Sequence, residues 1–228
     1  MNIGGLQKFS LIDYPGKISA VIFTVGCNFR CGYCHNPELF YEKNVKIISE
    51  QDVLSFLETR QNKLDAIVIT GGEPTLQPDL IDFIKKIKKL GFLVKLDSNG
   101  SNPETLKELY KNKLIDYVAM DIKAPLEKYK QITIAEIDIA KIRDSIKAIL
   151  KSEIEHEFRT TIVKHQLSIE DIETMAKETK NAELYALQKF IPTKTLNSSF
   201  LLKETYSDEE FLEIKKRVEI HVKKCVIR

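Results

Sequence analysis

Three of the four cysteines fall within eight residues, at Cys27, Cys31 and Cys34, spaced C-x3-C-x2-C. A loop that short lets all three sulfurs converge on one inorganic centre. Three thiolates are one short of the four that close an iron–sulfur cube, so one iron stays open to a substrate, as at a catalytic metal with an open position. Two other readings use the same residues. Cys27, Cys31, Cys34 and His35 make a Cys3His set for structural zinc. Cys31-Gly-Tyr-Cys34-His35 also spells the C-x-x-C-H of c-type haem attachment. Haem leaves Cys27 unused, and zinc leaves unexplained the glycine-rich segments that follow, whereas a cluster uses them all.

The elements that must position this loop are legible from periodicity. Ile18–Val25 is an apolar, β-prone run that reads as a first buried strand, with the cysteine loop at its end. Asp65–Thr70, Phe92–Leu96, Ile115–Met120, His156–Val163 and Glu183–Lys189 read as five more strands. Helices are expected from Ser49, from about Pro78 to Gly91, from Pro103, over Ile137–Leu150, after Ser168, and from Ser207 to about Val222. Ser49, Ser168 and Ser207 each precede an acidic residue by three positions, the pattern of a capping box. Six strands alternating with helices specify a parallel sheet with covered faces, closed or open.

Polar residues recur where those strands end: Gly71-Gly72-Glu73-Pro74, Asp97-Ser98-Asn99-Gly100 and Asp121-Ile122-Lys123. One such ending is ordinary, because turns are rich in Gly, Asn and Asp. Four in succession, counting the cysteines, mark a site at the C-terminal rim of an α/β fold. Arg159, Thr160, Thr161, Gln188 and Phe190 also stand near that rim, with plain strand alternation an equal reading. His156, His165, His221 and Cys225 suggest no partners, and Cys225 is expected to be a bystander.

Composition excludes several classes. The 228 residues suit one domain: a lead-in over 1–16, a core over 17–205 and a last helix over 207–223. A net charge of +2 gives no large nucleic-acid footprint. No apolar run reaches membrane-spanning length. Met1–Gly5 shows no basic segment leading into an apolar one, so a cytoplasmic location is expected.

C-x3-C-x2-C with an aromatic residue before the last cysteine resembles the signature of the radical S-adenosylmethionine (SAM) enzymes. Leu6–Gly16 and Cys27–Pro37 together are similar to one branch, the activases of glycyl-radical enzymes, and within it to the longer activating proteins of anaerobic ribonucleoside-triphosphate reductase. The resemblance implies a partial, laterally open barrel of six β/α units. It implies one 4Fe–4S cluster on Cys27, Cys31 and Cys34, with SAM on its free iron. A flavodoxin or ferredoxin would give the electron that cleaves SAM, and the resulting radical would take a hydrogen atom from a glycine of the partner enzyme. Carried over residue by residue, Gly71, Gly72 and Glu73 meet the methionyl amine, so a side chain at 72 is expected to block SAM without touching the cluster ligands. Ser98 and Asn99, the serine replacing a threonine, meet the carboxylate or ribose. Tyr33 offers a ring face to the adenine, and His35 shapes the loop. Lys123 pairs with the SAM carboxylate or the partner, and Asp97 and Asp121 match carboxylates that in some activases hold a monovalent cation. A radical SAM enzyme for a small molecule, of the deazaguanine-synthase kind, stays open, as does a non-catalytic zinc module.

Overall fold

The computed structural model describes Met1–Arg228 in eight strands and seven α-helices. The strands follow the order β1 to β8 in one sheet. By packing the chain divides into two compact units: Met1–Asn28, Glu38–Ser98 and Glu104–Val118 form one, and Phe29–Pro37, Asn99–Pro103 and Ala119–Arg228 the other.

The first unit is built on β1 (Ile3–Ser10), β2 (Ser19–Thr24), β3 (Ala66–Gly71) and β4 (Leu93–Ser98). β2, β3 and β4 run parallel, with Ser19 opposite Ala66 and Ala66 opposite Leu93. Their apolar runs are continuous because both faces are covered: Ala20, Val21, Ile22, Ile67, Val68, Ile69, Val94 and Leu96 are all buried. Helices α1 (Glu50–Glu58), α2 (Leu80–Lys89) and α3 (Pro103–Lys111) follow their strands. Ser49 caps α1 as its spacing predicts, its Oγ accepting from Asp52 N at 3.0 Å.

The second unit contains β6 (Glu155–Ile162), β7 (Tyr185–Lys189) and β8 (Cys225–Ile227), all parallel. β5 (Tyr117–Asp121) begins in the first unit and ends in the second. Helices α4 (Tyr129–Thr133), α5 (Ile139–Lys151), α6 (Ile169–Glu178) and α7 (Asp208–Glu219) complete it. Ser168 and Ser207 close full capping boxes with Asp171 and Glu210.

The six expected strands are β2 to β7, shifted by up to two residues. Two strands and one helix escaped the sequence. β1 lies within the expected lead-in, where Gly4 and Gly5 and the exposed stretch Gln7–Phe9 leave no alternation to read. It pairs antiparallel with β2, so the sheet is not wholly parallel. β8 is only three residues long and α4 only five, too short for either period to register.

Candidate functional site

In the first unit the site begins where β2 ends. Gly26 N donates to Leu39 O at 2.7 Å, and Gly26 O accepts from Glu73 N at 2.7 Å, so the residue before Cys27 is held on both sides. Gln77 Nε2 adds a bond to Val25 O at 2.7 Å. Gly71 has φ +112°, which favours glycine. A Cβ on Gly72 would stand 2.1 Å from Gly26 O and 2.6 Å from Gly26 C. The glycine is therefore required by the backbone entering the cysteine loop. This corrects the expectation that a side chain at 72 would act on a bound ligand alone.

Glu73 has no exposed surface. Its Oε1 accepts from Ser98 Oγ at 2.8 Å, from Thr75 N at 3.2 Å and from the Thr75 hydroxyl. Two predicted site residues, Glu73 and Ser98, are thus brought together, with Thr75 as a third member that periodicity gave no reason to single out. Three donors on one oxygen fix the carboxylate in its buried place. Asp97, nearby in sequence, lies 3.3 Å from Lys95 Nζ.

In the second unit the loop continues through Cys31, Gly32, Tyr33, Cys34 and His35. Cys34 N donates to Cys31 O at 3.0 Å, forming one tight turn. Burial pushes the Cys31 thiol up, and the charge of Lys123 opposes that shift. Tyr33 is buried, its phenol raised first by desolvation and then by Cys31. Lys123 Nζ stands 6.0 Å from the Tyr33 ring centroid, so part of the face expected to stack on adenine already meets a cation. His35 stacks on Phe190 with centroids 5.7 Å apart, which agrees with a loop-shaping role.

Asp121 and Lys123, expected on the rim after β5, form a network with Arg159 of β6. Arg159 Nε reaches Asp121 Oδ1 at 2.6 Å, and Lys123 Nζ reaches Oδ2 at 3.2 Å. Burial alone would raise the carboxyl, but Arg159 first and Lys123 second hold it well below the usual carboxylate range. Tyr129 locks the turn by accepting from Lys123 N at 3.2 Å and donating to Asp121 O at 3.3 Å. Both rim aspartates are thus balanced by protein cations. Asn99 Oδ1 accepts from Ser101 N at 2.9 Å and shapes its own turn.

Thr160 bonds Ile122 O and the Tyr185 hydroxyl inside the core, so it is structural. Cys225 lies buried in β8, its thiol pushed up to about 12 by burial, as suits an inert bystander. All four cysteines are free of disulfides. No three His, Cys, Asp or Glu side chains gather in the manner a single metal ion needs.

The model of the radical SAM superfamily matches residues 21–179. The chain belongs to the radical SAM superfamily. A candidate glycyl-radical enzyme activating enzyme of Methanocaldococcus jannaschii is 40% identical over 99% of this chain and 95% of its own. The pyruvate formate-lyase-activating enzyme of Clostridium pasteurianum is 30% identical, over 85% of this chain and 82% of its own. The radical SAM fold is seen again in SuiB of Streptococcus suis, solved bound to S-adenosylmethionine. It shares a TM-score of 0.70 at 14% identity, over 91% of this chain and 49% of that one.

Membership of the superfamily implies a 4Fe–4S cluster and SAM. The donor chemistry fits: three free thiols in one loop, with Cys31 under the positive field of Lys123. The buried Glu73, held by three donors on one oxygen, and the glycine at 72 supply a fixed strand end beside Cys27.

Proposed function

We propose that this protein is an activase that removes a hydrogen atom from the α-carbon of one glycine in a partner glycyl-radical enzyme. The carrying observation is that its likeness to an activating enzyme runs nearly from end to end, well beyond residues 21–179. Cys27, Cys31 and Cys34 would hold the cluster. Gly71, Gly72 and Glu73 would set the strand end beside the amine of SAM, and Ser98, held by Glu73, would meet its carboxylate or ribose together with Asn99. Tyr33 would offer its ring to the adenine, His35 would shape the loop, and Lys123, beside Asp121, would meet the SAM carboxylate or the partner. When bound, the cluster and SAM supply one electron and the carbon that takes the hydrogen atom.

The chain's own contribution is placement. The Asp121–Arg159–Lys123 network fixes a charged rim that does not change between pH 5 and 8. A monovalent cation held by Asp97 or Asp121 would share those carboxylates with Lys95 or with Arg159 and Lys123. The whole of 1–228 acts as one functional domain in the cytoplasm, with a flavodoxin or ferredoxin as electron donor. The anaerobic ribonucleotide reductase is the first partner to try and a pyruvate formate-lyase-like enzyme the second.

A partner enzyme carrying α-deuterated glycine tests this. With reduced activase and SAM, the 5′-deoxyadenosine released should carry deuterium. Unlabelled 5′-deoxyadenosine, with turnover that rises on adding a small molecule instead, would sink the activase reading and leave the superfamily assignment standing.

A further inference from the structure

The segment Ile191–Lys203 holds only one short 3-10 turn, Ser198–Leu202, and most of its residues are exposed. Nevertheless it grips the cysteine loop at two main-chain points. Leu196 N donates to Cys34 O at 3.1 Å, and Asn197 N donates to Gly32 O at 3.0 Å. Asn197 also starts the 3-10 turn, its Oδ1 accepting from Ser199 N at 3.0 Å, and the turn delivers Phe200. The Phe200 ring lies 6.3 Å from Tyr33 and 6.3 Å from Phe190, the ring that stacks on His35. A Cβ on Gly32 would fall 2.4 Å from Phe200 Cε2 and 3.0 Å from both Cδ2 and Cζ. The ring occupies the space that any other residue at position 32 would need.

We infer that residues 196–202 are a clamp that sets the Cys31–Cys34 turn, with Phe200 a positioning residue matched to Gly32. Gly32 has no positive φ, so backbone conformation does not demand glycine there; the ring does. Phe200 also lines an open cavity of about 410 Å³ with Ile132 and Val163. A side chain at 32 can be accommodated by the ring retreating that way, which draws it off Tyr33 and releases the clamp. Substitution at either position therefore breaks the same contact. Cys31, only 6% exposed, is the buried thiol of the turn that these contacts hold, and so the one whose reactivity reports whether the turn stays closed.

The test uses the protein without cluster, kept anaerobic, and measures alkylation of each cysteine by iodoacetamide with mass spectrometry. Reaction at a shielded thiol proceeds through local opening, so loss of the clamp should speed Cys31 by about tenfold or more in Phe200→Ala. Cys225, buried in β8, should keep its rate and so serves as an internal control. Gly32→Ala should also speed Cys31, and the double variant should be no faster than the quicker single one, because one contact is lost only once. Phe200→Leu should recover part of the protection. Iron and sulfide bound per chain on reconstitution should fall in the same order.

Three results would overturn the clamp: Cys31 unchanged within about twofold in Phe200→Ala, single effects that multiply in the double variant, or Cys225 accelerating alongside Cys31. The last would mark Phe200 as general packing. None of these readouts passes through a partner enzyme, so the clamp and the activase reading fail separately.

Discussion

At the scale of single residues, the site rests on groups that are already committed to the protein. Gly72 shows why. Its missing Cβ makes room for the Gly26 carbonyl, one residue before Cys27. Gly72→Ala must therefore move backbone, and it should lower the iron bound on anaerobic reconstitution as well as SAM cleavage. Full iron content with cleavage alone lost would show that the glycine serves the ligand only. Asp121 makes a second case. Its pairing with Arg159 and Lys123, side chains 15% and 17% exposed, means that Asp121→Asn strands two cations in a poorly solvated place. The expected cost is about 2–3 kcal/mol, below the range for a fully buried pair because some solvent reaches the network. The carboxyl is depressed in the folded protein, so its contribution is complete above an unfolded pKa of about 4 and disappears only in stronger acid. Denaturant melts of both proteins should thus differ by the same amount at pH 5 and pH 8. A difference that shrinks across that interval would contradict the pairing.

The elements divide into those with enough length to show a period and those without. β2 to β7 and the capped helices were legible because continuous apolar runs, and serines three residues before an acid, carry local instructions. β1, β8 and α4 exist through tertiary pairing, which no local pattern announces. β8 shows how such a strand is held. Arg228 N donates to Leu187 O at 2.9 Å, and its guanidinium bonds both oxygens of Glu157 at 3.2 and 2.8 Å. Glu157 has no exposed surface, whereas the Arg228 side chain is 40% exposed. Arg228→Ala should destabilise the protein by about 2 kcal/mol, since two charge-assisted bonds to a buried carboxylate go at once. Arg228→Lys should recover only part of this, lacking the planar fork. Equal melting temperatures for Arg228→Ala and the wild type would show that the pair is ornamental.

For the whole molecule, the cysteine spacing and the three polar strand ends that follow it were legible in the sequence. The way those residues are held was not legible. Thr75 and Tyr129 lock the strand ends, and Phe200 sits in a segment without periodicity, so contacts made across the chain decided their roles. No helix is long and apolar enough to cross a membrane. The proposed function requires the loop to place a radical on a glycine of another protein. Electron paramagnetic resonance tests it most directly, on a mixture of the reduced protein, SAM and the partner enzyme. The mixture should give a carbon-centred doublet that collapses to a single line when the partner's glycine is α-deuterated, because the one remaining α-hydrogen causes the splitting. A signal unchanged by that deuteration, or no signal while SAM is consumed, would contradict it.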